Sequence, residues 1–182
     1  KKPLWDQTST FKPFFRATNS VRDAFELLDT QDGWQAHPSH LVPTPQTFED
    51  CTAADVIGGL WFHATNDVSL VDSHIRRCRG GANGGGLWVT GGGTVSVIRG
   101  SITGCSAGIG GAAVVSYSST LSLIDVLVAD CHAEGDGGGG IDVGGAGSLT
   151  MRGGTIRNCQ APDGYGGGIR AVALLQLSGV VV

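Results

Sequence analysis

Five cysteines, Cys51, Cys78, Cys105, Cys131 and Cys159, follow one another at intervals of 27, 27, 26 and 28 residues. Near-constant spacing over that much chain is the mark of a structure built by stacking one unit. Alignment on cysteine brings other residues into columns. Ile75, Ile102, Val128 and Ile156 each stand three residues before a cysteine. Ala53, Ala107, Ala133 and Ala161 each stand two after one, with Gly80 in the remaining unit. Upstream of the isoleucine-type position lies an apolar-polar-apolar triplet: "VSL" at 68–70, "VSV" at 95–97, "LSL" at 121–123, "LTM" at 149–151 and "LQL" at 175–177. Earlier in each unit another triplet follows glycine or alanine: "LWF" at 60–62, "LWV" at 87–89, "AVV" at 113–115, "IDV" at 141–143 and "IRA" at 169–171.

Each unit therefore offers three short runs of period two, the period of a strand, separated by glycine-rich turns, and none has the i, i+3, i+4 pattern of a helix. The leucine-and-asparagine pattern of leucine-rich repeats is missing, and a propeller blade needs about 40 residues. The spacing predicts an all-β fold, a right-handed parallel β-helix of about five coils. In it the ends of each triplet point into a narrow core, the middle residue points outward, and glycines take the positive-φ corners.

Composition places the boundaries. Five of the six prolines, five of the six phenylalanines and only one of the 31 glycines, Gly33, precede residue 50, whereas all five cysteines follow it. Residues 1–49 are read as an N-terminal aromatic-rich arm or cap, and residues 50–182 as the β-helix. The arm carries one helix candidate, "NSVRDAFELLDT", with Ser20 as cap, Asp23 in the capping-box position and Val21, Ala24, Phe25 and Leu28 on one face. Its other aromatics are expected to cover the first coil or a neighbouring protein. A net charge of −4 and a pI near 5.6 give no electrostatic footprint for nucleic acid. No apolar run approaches the roughly 20 residues of a transmembrane helix. A start at Lys1 and an end in mid-pattern are expected of a piece of a longer protein.

The coupling of "GGGI" or "GGGL" with an upstream "NCQA" or "GCSA", closest in "NCQAPDGYGGGI" at 158–169, resembles the repeats of chlamydial polymorphic outer membrane proteins. More broadly it resembles parallel β-helix proteins of the pectate-lyase-like superfamily. The resemblance covers residues 50–182, with cysteine beside or in place of the family's asparagine. It implies a surface-displayed adhesive module in an extracellular, cell-surface or organelle-lumen setting.

The chemistry-bearing residues fall into columns of their own. The cysteines lack any CxxC or paired-histidine spacing, so no metal is assigned, and parallel Cα–Cβ vectors in one column suit a bridge poorly. They are read as a structural ladder of buried thiols. "GDGGGG" at 135–140 matches a phosphate-binding pattern, and "GGGGID" at 137–142 begins a calcium-binding repeat. Neither has the required context, so no cofactor is expected. Asp130, Glu134 and Asp136 face no second acidic cluster, and His63, His74 and His132 fall in unrelated columns. Ser69, Ser96, Ser122, Thr150 and Gln176 form a solvated face, and Asp72, Arg99 and Asp125 a column of alternating sign. The outward column Trp61, Trp88, Val114, Asp142, Arg170 holds the candidate binding residues Trp61, Trp88, Asp142 and Arg170. Two bare indoles imply cover by the arm or a loop, a docking platform for protein, or a platform for a sugar ring. No catalytic residue is assigned. The expected function is a noncatalytic structural, scaffold or adhesive β-helix module, a subunit of a larger assembly with protein partners. The alternative is a carbohydrate-binding or polysaccharide-cleaving protein.

Overall fold

The computed structural model describes residues 28–30, 33–35, 45–54, 57–63 and 67–182. Three parallel five-stranded sheets run the length of the repeat. The tryptophan sheet stacks Leu60–His63, Leu87–Thr90, Ala113–Val115, Ile141–Val143 and Ile169–Ala171. The hydroxyl sheet stacks Val68–Val71, Thr94–Ile98, Thr120–Ile124, Ser148–Arg152 and Leu174–Ser178. The isoleucine sheet stacks Thr47–Glu49, His74–Arg76, Ser101–Thr103, Leu127–Ala129 and Thr155–Arg157. The chain visits the sheets in rotation, each strand pairing with its counterpart one unit away. The molecule is a parallel β-helix of about five coils.

The register is the one the columns predict. Ile75 pairs with Ile102, Ile102 with Val128 and Val128 with Ile156, while Phe48 extends the same column backward into the residues read as arm. The unequal intervals are absorbed between the sheets. One residue is lost between the Arg79–Ser106 and Asn83–Ile109 pairs, and two are gained between Ser106–His132 and Ala113–Ile141. The last coil then drops two between Val143–Ala171 and Ser148–Leu174. All three changes of length lie in turns flanking the tryptophan sheet, so its partners stay in step.

Glycine takes positive-φ corners as expected, at Gly84, Gly92, Gly110 and Gly145 among others, but two stacked columns of such corners are made mostly by charged or amide side chains. Asp72, Arg99 and Asp125 have φ of 50°, 51° and 53°, followed in the column by Gly153 and Gly179 at 64° and 62°. A second left-handed column, Asp50, Arg77, Gly104, Asp130 and Asn158, immediately precedes the cysteines. Aspartate and asparagine tolerate this region better than other residues, and arginine there costs roughly 1–2 kcal/mol. Each of these corner residues up to Gly153 gives its N–H to the next coil where the coil provides a carbonyl, as in Asp72 to Ile98 at 2.9 Å and Arg77 to Thr103 at 2.9 Å. The ladder therefore runs on through the bend. Both arginines are also held by the coil below: Arg99 binds both carboxylate oxygens of Asp72 at 2.8 and 3.0 Å, and Arg77 grips Asp50 in the same way while also pairing with Glu49.

The glycine pairs before the tryptophan sheet have a different task. Gly58, Gly85, Gly111 and Gly139 have no positive φ. A Cβ on any of them would strike the backbone of the following coil: that of Gly85 meets Gly111 O and Ser106 O, that of Gly111 meets Gly139 O. Coils pass here at a separation only a bare Cα permits.

Inside, Leu70, Val97, Leu123 and Met151 fill one column, Leu87, Ala113 and Ile141 another, all with no solvent exposure or nearly none. At about 1.5–3 kcal/mol for each large aliphatic side chain removed from water, these columns oppose the entropy lost in ordering a glycine-rich chain. Ahead of the coils, Leu28–Thr30 and Gly33–Gln35 form an antiparallel pair, and the latter runs close to Leu60–His63. The helix expected over this region is not present at its last residue, Leu28, which lies in a strand; Ser20 to Phe25 lie outside the described residues. Among the described residues no helix is long and apolar enough to cross a membrane.

The coil contacts set a stability test. Gly85→Ala forces two backbones apart and is expected to destabilise the fold by at least about 2 kcal/mol, as overpacking against an unyielding neighbour does. At Gly144 the nearest atom to an added Cβ is an Asp142 carboxylate oxygen at 3.5 Å and φ is not positive. Gly144→Ala is expected to be neutral or to stabilise by up to about 1 kcal/mol through the unfolded chain. Urea denaturation of the two variants checks the contrast.

Candidate functional site

The column of candidate binding residues assembles as predicted, Trp61 beside Trp88, Trp88 beside Val114, Val114 beside Asp142 and Asp142 beside Arg170. It is not an open face along its length. Val114 is only 5% exposed and Asp142 only 3%. The glycine-rich turns preceding each strand fold back over the outside of the sheet: a Cβ on Gly110 would meet the Val114 side chain, and the Gly138 N–H donates to Asp142 Oδ2 at 3.2 Å. Period two places a side chain on the outer side of a strand, and here the turns remove that side from water.

The two indoles are half-buried and stacked, with ring centroids 5.0 Å apart and planes at 15°. Each gives its N–H to a hydroxyl of the following coil, Trp61 Nε1 to Thr90 Oγ1 at 3.0 Å and Trp88 Nε1 to Ser116 Oγ at 3.3 Å. Thr90 Oγ1 also lies 3.0 Å from His63 Nδ1, and the His63 ring stands edge-on to Trp61 at 6.1 Å. The Thr90 hydroxyl donates to the Phe62 carbonyl at 3.5 Å while its lone pairs accept from Trp61 Nε1, which ties both side chains to the wall of the coil. This cluster of Trp61, His63, Trp88 and Thr90 was only half legible, because Thr90 and His63 follow the triplets and carry no signal of their own. Stacking spends one face of each indole on the other, and the remaining faces and edges are what a ligand would meet.

At the other end of the column Arg170 Nη1 contacts both oxygens of Asp142 at 3.2 and 2.9 Å, and its guanidinium carbon lies 5.4 Å from the centre of the exposed Tyr165 ring. A carboxylate withdrawn from water and bound by a cation and by a backbone N–H is held in place. Neither oxygen is left to attack a substrate or accept its proton. The four sequence-predicted binding residues thus form two pairs, an aromatic one and an ionic one, separated by Val114.

Other polar side chains follow the same rule. His74 Nδ1 lies 2.9 Å from Ser101 Oγ. The carboxylate nearby in sequence, Asp72, is held by both oxygens to Arg99, which keeps its pKa below the usual carboxylate range. Among the described residues His74 makes its hydrogen bond to Ser101, and the nearby Asp72 carboxylate is engaged by Arg99. Arg79 reaches across to Glu134 at 2.9 Å, and Asn158 donates to Asp130 at 3.0 Å. Such exposed pairs are each worth at most about 1 kcal/mol, and they hold register more than they add stability. Among the described residues no three histidine, cysteine or acidic side chains converge on a metal position.

The cysteines form the expected ladder at the corner after the isoleucine sheet. All five are unbridged; Cys51, Cys78, Cys105 and Cys131 are buried, and Cys159 in the last full coil is half-buried. Every thiol points to the carbonyl two residues back, at 3.7 Å for Cys51, 3.4 Å for Cys78, 3.5 Å for Cys105, 3.2 Å for Cys131 and 3.4 Å for Cys159. Five repetitions of one weak bond show a corner geometry that fits a small soft side chain. The neighbouring Cys131 and Cys78 thiols, together with burial, push Cys105 well above the ordinary thiol value of 9.0. The folded state thus holds this proton after the unfolded chain has released it. The contribution of Cys105 is expected to hold below about pH 9 and to fall as pH rises beyond that, whereas Cys78 and Cys131, whose thiols the neighbouring cysteines push down to about 4, contribute in the opposite sense, gaining as pH rises toward 9. Chemical denaturation across alkaline pH checks this, with a shallower fall expected in Cys105→Ala. Over the same range Cys159 is expected to react with a thiol reagent before Cys105.

Compared with protein-family models, curated proteins and solved structures, the chain matches none, so its assignment rests on its own geometry: a parallel β-helix of about five coils.

Proposed function

We propose that this chain is a noncatalytic structural module, a β-helical rod that acts as a scaffold or adhesive element within a larger protein assembly. The observation that carries this reading is where the polar side chains are spent. Asp142 is bound by Arg170, Asp72 by Arg99, Asp50 by Arg77 and Glu134 by Arg79, each pair linking different coils. General acid–base or nucleophilic catalysis needs groups that converge on a reacting atom and are free to exchange a proton. Here carboxylate and guanidinium satisfy each other, and their product is a stiff rod with fixed register.

The repeat-level resemblance to chlamydial polymorphic outer membrane proteins supports the same role and gives it a setting at a cell surface, outside the cell or in an organelle lumen. The wider resemblance to pectate-lyase-like proteins supports the alternative, a protein that binds or cleaves polysaccharide. Its residues would be Trp61 and Trp88 with Asp142 and Arg170. Stacking of one indole on the other and pairing of the acid with the base leave that alternative a smaller surface than the sequence promised.

Incubation of the purified chain with polyuronides and neutral glycans separates the two. The scaffold reading expects no new reducing ends or unsaturated products, and no change in tryptophan fluorescence on titration. Turnover abolished by Asp142→Asn, or saturable quenching lost in Trp61→Ala and Trp88→Ala while the β-sheet circular dichroism is kept, would establish the carbohydrate reading instead.

A further inference from the structure

The thiol ladder has a spacing that the scaffold role does not require. The residues after the five cysteines, Thr52, Arg79, Ser106, His132 and Gln160, pair in one parallel column. Arg79, Ser106, His132 and Gln160 also give their N–H to the carbonyl of the cysteine one coil back, at 2.7 to 2.9 Å. The coils are therefore in step at the thiols, and every thiol makes the same contact with the carbonyl two residues before it. One placement repeated in each coil sets neighbouring sulfurs one strand spacing apart, about 4.8 Å, on parallel Cβ–Sγ bonds. Cys78, Cys105 and Cys131 each meet a thiol on both sides, and each is only 1% exposed.

That spacing discriminates between the uses of a thiol. A disulfide needs sulfurs about 2.05 Å apart and β-carbons within about 4.5 Å, closer than stacked coils allow without backbone movement. Zinc takes four ligands, and among the described residues no three histidine, cysteine or acidic side chains converge. A closed-shell monovalent ion such as copper(I) is satisfied by two thiolates in a line. With metal–sulfur bonds of about 2.3 Å, a linear pair spans about 4.6 Å, close to the gap between adjacent rungs.

We propose that the ladder binds copper(I), or a soft monovalent ion of the same class, between the thiols of adjacent coils. Binding is an exchange without redox change: one Cu⁺ and two R–SH give R–S–Cu–S–R⁻ and two protons, which pass to the solvent. The rungs involved give up their thiol-to-carbonyl contacts, which are weak. Because the rungs are buried, loading accompanies folding. A sulfur carrying ions above and below would need two lone pairs in one straight line, which its geometry forbids, so each rung joins one ion only. Five rungs then hold two ions and leave one thiol over. Cys78 and Cys131, the second and fourth rungs, belong to every arrangement of two ions, whereas Cys51, Cys105 or Cys159 can be the one left out. This goes beyond the scaffold reading and does not depend on it, since the ladder lies inside the rod whatever its outer face binds.

The test refolds the 182-residue chain from urea under nitrogen with copper(I) supplied as its acetonitrile complex, and then removes unbound metal. Two coppers per chain are expected, with X-ray absorption showing two sulfur neighbours for each and no nearby copper. Zinc(II) taken through the same procedure is expected to be lost. Cys105→Ala is expected to keep two ions and Cys78→Ala one. The double variant Cys78→Ala, Cys131→Ala is expected to keep none, although three cysteines remain. Circular dichroism checks that each variant has refolded. A wild-type chain that refolds without retaining copper, or copper with three sulfurs or with nitrogen or oxygen neighbours, would overturn the proposal without recourse to any variant. Equal losses in Cys105→Ala and Cys78→Ala, or copper retained by the double variant, would overturn it too.

Discussion

Everything in this molecule depends on the hydrogen bond between one coil and the next. Among the described residues the strands of the coils pair with parallel strands 26 to 28 residues away, and segments this short need such partners to be ordered. Stacking at the usual strand spacing of about 4.8 Å turns each sequence position into a column. Once the coils are in step, like meets like: leucine on valine within, indole on indole without, thiol beside thiol at the corner. Slip by one residue would turn every core column outward. The glycine pairs at 58–59, 85–86 and 139–140 sharpen this constraint, since they let the backbones approach so closely that the register allows no side chain between them.

The outer surface follows from the same geometry. A column of identical charges would repel at one strand spacing, and the chain alternates them, with Asp72 under Arg99 and Asp50 under Arg77. At the left-handed corners aspartate tolerates the conformation through its short polar side chain, while arginine adopts it at a cost and is held by the aspartate of the coil below. The aromatic pair, the buried ion pair and the corner pairs are thus variations on one device, a link between coils 27 or 28 residues apart in sequence. That device ties these polar residues to neighbouring coils, which is the observation the proposed scaffold role rests on.

The cysteine intervals made the fold and its columns legible, because a repeat announces each inward position several times over. What could not be read was anything that depends on how turns fold back or on events at the two ends. Asp142 has the outer position of a strand, and only the turn through Gly138 takes it out of water. Glycine at positions such as 85 looks the same in sequence whether it supplies a positive φ or a close approach. His63 and Thr90 meet through adjacent coils without any local pattern. The exposure of Leu175 and Leu177 has no sequence signature, since their triplet is the same as those buried beneath it.

The most direct test of the account is a methyl-resolved nuclear Overhauser experiment along one core column. Stacking in this register predicts contacts from Ile75 to Ile102, from Ile102 to Val128 and from Val128 to Ile156, with the Trp61 and Trp88 rings in mutual contact on the other face of the molecule's wall. Absence of those contacts, or their replacement by contacts displaced one residue along the chain, would contradict the in-register coil on which the scaffold reading rests.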